Sequence, residues 1–166
     1  MRKVLLIFWL FLCINVFSQE EFKSRPQLKS IEDMLTFAAK QQRKPYRLGA
    51  EGPNAFDCSG FTRYCYKQVG IELNRTSENQ AKNGKKVSRK KLKDGDLVFF
   101  KGERGRGINH VGIVYKVKSG KKFDFIHASS SAGVIISDAG QYEKRYKTAR
   151  RITTDKKIKN AIKKKK

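Results

Sequence analysis

Cysteine is scarce in this chain, with three in 166 residues, and the three cannot staple a fold. Cys13 falls inside an apolar N-terminal run. Cys58 and Cys65 lie seven positions apart in a helical pattern, which separates their Cα atoms by about 10 Å, beyond the roughly 7 Å that a disulfide spans. The fold must therefore rest on a hydrophobic core, which a chain of this length builds as one domain. Histidine is scarcer still, with two residues. Two cysteines and two histidines lack the close pairs of a zinc site, so a metal centre is the weaker reading of them and no cofactor is expected. Long apolar runs are missing apart from Val4 to Phe17, too short for a bilayer core that needs roughly 20 residues. Acidic residues are few, 15 against 38 basic ones. No nucleic-acid-binding signature accompanies that imbalance, since aromatic residues are not interleaved with the charge in a stacking pattern, and no internal repeat is present.

What is present begins with an export signal. Arg2 and Lys3 give a basic start, the apolar run is interrupted only by Asn15, and Val16-Phe17-Ser18 brings small residues to a cleavage point before Gln19. Bulky Leu12 ahead of Cys13 argues against a lipid-modified cysteine. The expected organisation is a signal peptide over 1–18, a linker over 19–30, a domain over 31–152 and a basic tail over 153–166. The protein would then be an exported monomer, periplasmic or secreted, at the cell envelope. The formal charge is +23, of which the signal holds two, and such a field draws a protein to polyanions. For an exported protein these are envelope polymers and lipid head groups. The seven lysines of Lys156 to Lys166 read as a frayed, solvated end.

Leu28, Ile31, Leu35, Ala38 and Ala39 recur at helical spacing until Pro45-Tyr46, predicting a helix over 28–42. Asp57 stands as a cap ahead of the Phe61, Tyr64, Cys65, Val69 stripe, which Gly70 ends. Ser77 and Gln80 have capping-box spacing and predict a short helix over 77–83. From Lys91 the period changes to strands at Leu97 to Phe100, Val111 to Val117, Phe123 to Ala128, Gly133 to Ile136 and Ala149 to Ile152. Helices first and strands second predict an α+β domain, its N-terminal helices packed on an antiparallel sheet.

The chemistry-bearing residues fall on these elements in an ordered way. Cys58 opens a helix, whose N-terminus favours a thiolate and offers free N–H groups to an oxyanion. His110 and His127 lie on strands that a hairpin sets side by side. A thiol needs a base, and a base works best when a third group fixes its tautomer. Cys58 is thus the expected nucleophile, His110 the base and His127 the residue that orients it. Each has a plainer reading: a buried apolar cysteine, a satisfied core histidine, and for Asp57 and Ser77 simple helix caps.

At this point five ordered motifs carry a resemblance: Asp57-Cys58-Ser59-Gly60-Phe61; Asn74-Arg75-Thr76-Ser77 with Gln80; Gly95-Asp96-Leu97-Val98-Phe99-Phe100; His110-Val111-Gly112-Ile113; and Phe125-Ile126-His127-Ala128-Ser129. Together they resemble the NlpC-type cell-wall peptidase family of papain-like cysteine peptidases, over about Ile31 to Ile152. The resemblance implies an endopeptidase that cuts peptidoglycan stem peptides, typically between γ-D-glutamyl and the diamino acid that follows. It implies the roles given above for Cys58, His110 and His127, and a stem-peptide pocket lined by Tyr46, Asp57, Ser59 and Ser77. The chain departs from it at Arg47-Leu48-Gly49-Ala50, where an aromatic residue and Gly-Gly are common, and at Asn74, which replaces a common proline. A wall amidase, an acyl transferase or an antibacterial effector would use the same machinery. A basic envelope-binding protein without activity is the third reading.

Overall fold

The computed structural model describes residues 28–158 apart from 103, 104, 106, 120, 154 and 156. The expected signal peptide and most of the lysine-rich end lie outside the described residues. Helix α1, Ile31–Ala39, starts at Ser30, whose side chain accepts from the Asp33 amide, and buries Met34, Leu35 and Ala38. It stops earlier than its periodicity predicts. The Gln41 and Gln42 amides turn back to the carbonyls of Ala38 and Ala39, and Arg43 reverses the chain at φ 70°. Its amide then pairs with the Val134 carbonyl, so a tertiary contact ends the helix ahead of the proline.

Helix α2, Cys58–Lys67, is capped by Asp57, whose Oδ1 accepts from the Gly60 amide at 2.7 Å. Its Phe61, Cys65 and Tyr66 are fully buried. Helix α3, Ser77–Gln80, is shorter than the expected 77–83, and its cap is Thr76, whose side chain accepts from the Asn79 amide, so that Ser77 is already inside the helix. Gln80 ties the helices together, its Nε2 donating to the carbonyls of Ser59 and Asn74 and its Oε1 accepting from Thr62.

Six strands form one sheet: β1 Lys85–Val87, β2 Leu97–Lys101, β3 Ile108–Val117, β4 Phe123–Ser129, β5 Gly133–Asp138 and β6 Tyr146–Arg151, in the order β1-β6-β2-β3-β4-β5. Every pairing is antiparallel. Both faces are covered, which is why the central strands read as nearly continuous apolar runs. Leu97, Phe99, Val111, Ile113, Ile126 and Ala128 pack with α1 and α2. Val98, Phe100, Val114, Phe123 and Phe125 form a second core on the opposite face, beneath a 3₁₀ helix, Ala139–Arg145. The α+β expectation holds. Packing continues past Ile152: Thr153 and Ile158 are buried, and Asp155 Oδ1 accepts from the Ile31 amide at 2.8 Å.

One backbone feature of the sheet bears directly on the site. A Cβ at Gly112 would stand 2.6 Å from the Phe125 ring and 3.1 Å from the Cβ of His127. Glycine two positions after His110 therefore lets β3 and β4 close up where the second histidine is carried.

Candidate active site

A cavity of about 190 Å³ opens at the start of α2, lined by Tyr46, Cys58, His110, His127, Tyr142 and Arg145 among others. The two imidazoles, 17 residues apart, meet directly, His110 Nε2 lying 2.9 Å from His127 Nδ1. The chain of contacts goes one residue further than sequence reasoning reached. His127 Nε2 lies 3.0 Å from the Oγ of buried Ser137. One residue from each of β3, β4 and β5 thus builds a hydrogen-bonded row across the sheet. Aromatic rings hold it in place: Phe125 stacks on His127 at 4.5 Å and Tyr142 on His110 at 6.3 Å.

The row couples the tautomers of the two histidines. If His110 is to receive a proton at Nδ1, its Nε2 must carry hydrogen and donate to His127 Nδ1. His127 then carries its hydrogen on Nε2 and donates to Ser137. Every nitrogen has one role, and Nδ1 is the atom of His110 left for the nucleophile.

Cys58 shares the cavity, but in the resting structure its thiol donates to the Asn109 carbonyl, with 3.8 Å between the heavy atoms. The expectation of a lowered thiol pKa is corrected here. Burial, followed by the Asp57 carboxylate, pushes the thiol up, and the amides of Val111, Ser59 and Cys58 that face the sulfur offset this only in part. Burial and the Arg145 charge bring His110 down to about 4. Burial, the His110 charge and Arg145 bring His127 down to about 3. With the thiol pushed up and both imidazoles pushed down, all three side chains are neutral near pH 7.

These shifts set a pH dependence. Histidine in the unfolded chain titrates near the ordinary 6.5, whereas the native pair resists protonation. As pH falls below about 6.5 the unfolded state binds protons that the native state does not, so stability is expected to decline from there toward pH 4 and below. Above 6.5 the pair contributes no slope. Activity should keep its acid limb well below 6.5, because His110 stays a competent base. Denaturant titrations and pH–rate profiles check both; an acid limb at 6.5 would contradict the buried, neutral pair.

Asp57, Ser59, Ser77 and Tyr46 are placed differently from one another. Tyr46 lines the cavity with Cys58, and burial first, then any charge that develops on Cys58 and the Asp57 charge, raise its phenol. Asp57 and Ser59 are buried just outside it in a network that sequence reasoning did not assemble. Arg75 donates to Asp57 Oδ2 at 2.5 Å, to Asp57 Oδ1 at 3.2 Å and to Ser59 Oγ at 3.0 Å. Its Nε also pairs with Glu51 at 3.1 Å, and Glu51 holds Arg63 as well. Burial by itself would raise the Asp57 carboxyl; the Arg75 bond, the Gly60 amide and Ser59 outweigh it and leave the group below its ordinary 3.8. Ser77 is buried at the start of α3 and is not among the residues lining the cavity. Tyr142, Arg145 and Ser137 were missed because the first two sit on an aperiodic 3₁₀ helix and the third is a small polar residue in a strand. Among the described residues, no group of three or more His, Cys, Asp or Glu side chains is arranged to hold a metal.

A cysteine at a helix start and two joined histidines on adjacent strands line one cavity, and the profile of the NlpC/P60 family matches residues 43–151. The chain belongs to the NlpC/P60 family. Membership makes it a peptidase. The chain is 39% identical over 140 residues to the murein DD-endopeptidase/murein LD-carboxypeptidase MepS of Escherichia coli K12, covering 81% of this chain and 70% of that protein. A probable endopeptidase p60 of Listeria grayi is 46% identical over 90 residues, but those span 54% of this chain and 17% of the relative. Among solved structures, an NlpC/P60 family protein of Bacillus cereus superposes with a TM-score of 0.66 at 31% identity, covering 74% of this chain and 40% of that one. The NlpC/P60 domain of the peptidoglycan hydrolase SagA superposes with 0.59 at 32% identity, covering 71% and 95%.

Proposed function

We propose that this NlpC/P60 domain is an exported endopeptidase that hydrolyses peptidoglycan stem peptides through a thioester on Cys58. The observation that carries the reading is the His110–His127 pair in the same cavity as Cys58. His110 Nδ1 takes the thiol proton as sulfur attacks the carbonyl, and the imidazolium that forms is stabilised by donating through Nε2 to His127. The amides of Cys58, Ser59 and Val111, which face the sulfur at rest, supply donors for the charge that develops on the attacked carbonyl oxygen. His110 then returns its proton to the leaving amine, and with the amine gone it activates water to open the thioester.

Two scissile bonds fit this machinery. The family resemblance favours the bond between γ-D-glutamyl and the diamino acid. The name of the Escherichia coli relative, a DD-endopeptidase and LD-carboxypeptidase, favours a bond further along the stem. Digestion of purified peptidoglycan followed by mass spectrometry separates them: the first leaves a dipeptide stub on the glycan, the second leaves the diamino acid attached. Release of the whole stem would instead mark an amidase. Unaltered wall fragments, or equal cutting by Cys58→Ala, would sink the hydrolase reading.

A further inference from the structure

A second cavity among the described residues, larger than the one at Cys58, shares no lining residue with it. A groove of about 500 Å³ runs along the outer end of the sheet, lined by Lys85, Lys86 and Val87 of edge strand β1, then Ser88 and Lys91, Arg151 at the end of β6, and Ile152, Thr153 and Lys157 beyond it. None of these lining residues is acidic. Arg151 is committed to the floor, its guanidinium donating to both oxygens of buried Asp96 at 2.7 Å and to the Lys91 carbonyl at 2.8 Å. That pairing neutralises the one arginine and leaves four lysines, all exposed, to set the field of the groove. Buried Ile158 anchors the last described turn, and Lys159 and Lys163 to Lys166 follow it in sequence.

We propose that this groove is a binding site for an acidic polymer bearing repeated phosphate groups, separate from the peptidase cavity and independent of which bond that cavity cuts. The cations come from three separate elements, the edge strand, the short turn after it and the C-terminal turn, and are spread along an open channel rather than closed around one point. Such a row suits repeated charges better than a single anion. Its free cations are all lysine, which meets phosphate as a point charge, while the arginine that would grip a planar carboxylate in two bonds is already paired. A lipid surface is the poorer fit, because the exposed large apolar side chain among the described residues is Leu48, which is not among those lining the groove, so the groove offers nothing to insert.

Net charge alone would attract any polyanion, so the test compares two variants of equal charge. Binding of fluorescently labelled inorganic polyphosphate, about 15 units long, is measured by anisotropy for the full chain, for Lys85→Gln/Lys86→Gln/Lys91→Gln, and for Lys40→Gln/Lys67→Gln/Lys116→Gln on other faces. At physiological salt the groove variant should bind about tenfold or more weakly and show a shallower salt dependence, and the control should change by about twofold or less. Melting temperatures verify folding; should the triple groove variant fold poorly, the single changes Lys91→Gln and Lys157→Gln are each expected to weaken binding by a few-fold. Equal weakening in both triple variants would overturn the proposal in favour of a diffuse field. Polyglutamate of the same length binding as tightly as polyphosphate would overturn the phosphate assignment. Groove-dependent binding to anionic phospholipid vesicles without binding to polyphosphate would overturn the polymer in favour of a membrane surface.

Discussion

Replacing His110 with alanine is expected to lower kcat on a soluble stem peptide by about 10³- to 10⁴-fold, replacing His127 by about 10- to 100-fold, and replacing Ser137 by only a few-fold. The gradient follows the order of the row. In the proposed mechanism His110 exchanges a proton with sulfur and with the leaving amine, so its loss removes the base that the reaction uses. In the same proposal His127 touches neither; it would hold His110 in one tautomer through the 2.9 Å contact and share the imidazolium charge. Ser137 acts one step further out, fixing which nitrogen of His127 carries hydrogen. Its role is positional, so Ser137→Ala should move the acid limb of the pH–rate profile as well as the rate, and Ser137→Thr should restore both where the strand accommodates the methyl group. Steady-state kinetics with melting temperatures for each variant decide the matter. Equal losses at His110 and His127 with the fold retained would sink the division of roles, as would a larger loss at Ser137 than at His127.

Much of this arrangement is legible in the sequence, for physical reasons that also explain the gaps. The strands carrying the histidines are buried on both faces, so Val111 to Val114 and Phe123 to Ala128 announce themselves as apolar runs. Asp57 announces α2 because a capping carboxylate and the following stripe are both local. Ser137 leaves no such trace: a serine in a strand reads as a solvent-facing residue, and its burial against His127 is known only once β5 is paired with β4. The 3₁₀ helix that supplies Tyr142 and Arg145 has no period that a helix pattern would register. Strand β1, Lys85–Val87, has two lysines in three residues and exists through its pairing with β6. The sign of the Cys58 shift was also out of reach. Helix position favours the thiolate, but burial and the neighbouring Asp57 charge, which dominate, depend on tertiary packing.

Arg75→Ala is the second variant with a large expected effect, because it strips the main charge partner from a carboxylate that cannot reach water. The Asp57 side chain is 7% exposed and that of Arg75 is 35% exposed. Breaking a fully buried ion pair costs about 3–5 kcal/mol; with one partner a third exposed and the Gly49, Gly60 and Ser59 donors still in place, about 1–3 kcal/mol is expected here. The pH dependence should change in the same variant. In the native protein Asp57 lies below its ordinary value, so its stabilising contribution is present above about 3.8 and is lost as pH falls through the native value. Without Arg75 the burial that opposes ionisation is no longer outweighed to the same extent, and acid sensitivity begins at higher pH. The less compensated Asp57 charge also raises the Cys58 thiol further, which moves the optimum for cleavage upward. Arg75→Lys keeps a charge but not the paired bonds to both carboxylate oxygens, and should fall between the two. Denaturant unfolding across pH and pH–rate profiles of the three proteins provide the check. An unchanged melting temperature and an unchanged profile in Arg75→Ala would show that Asp57 is held by its cap and backbone donors alone, and that Arg75 serves only the exposed Glu51 pair.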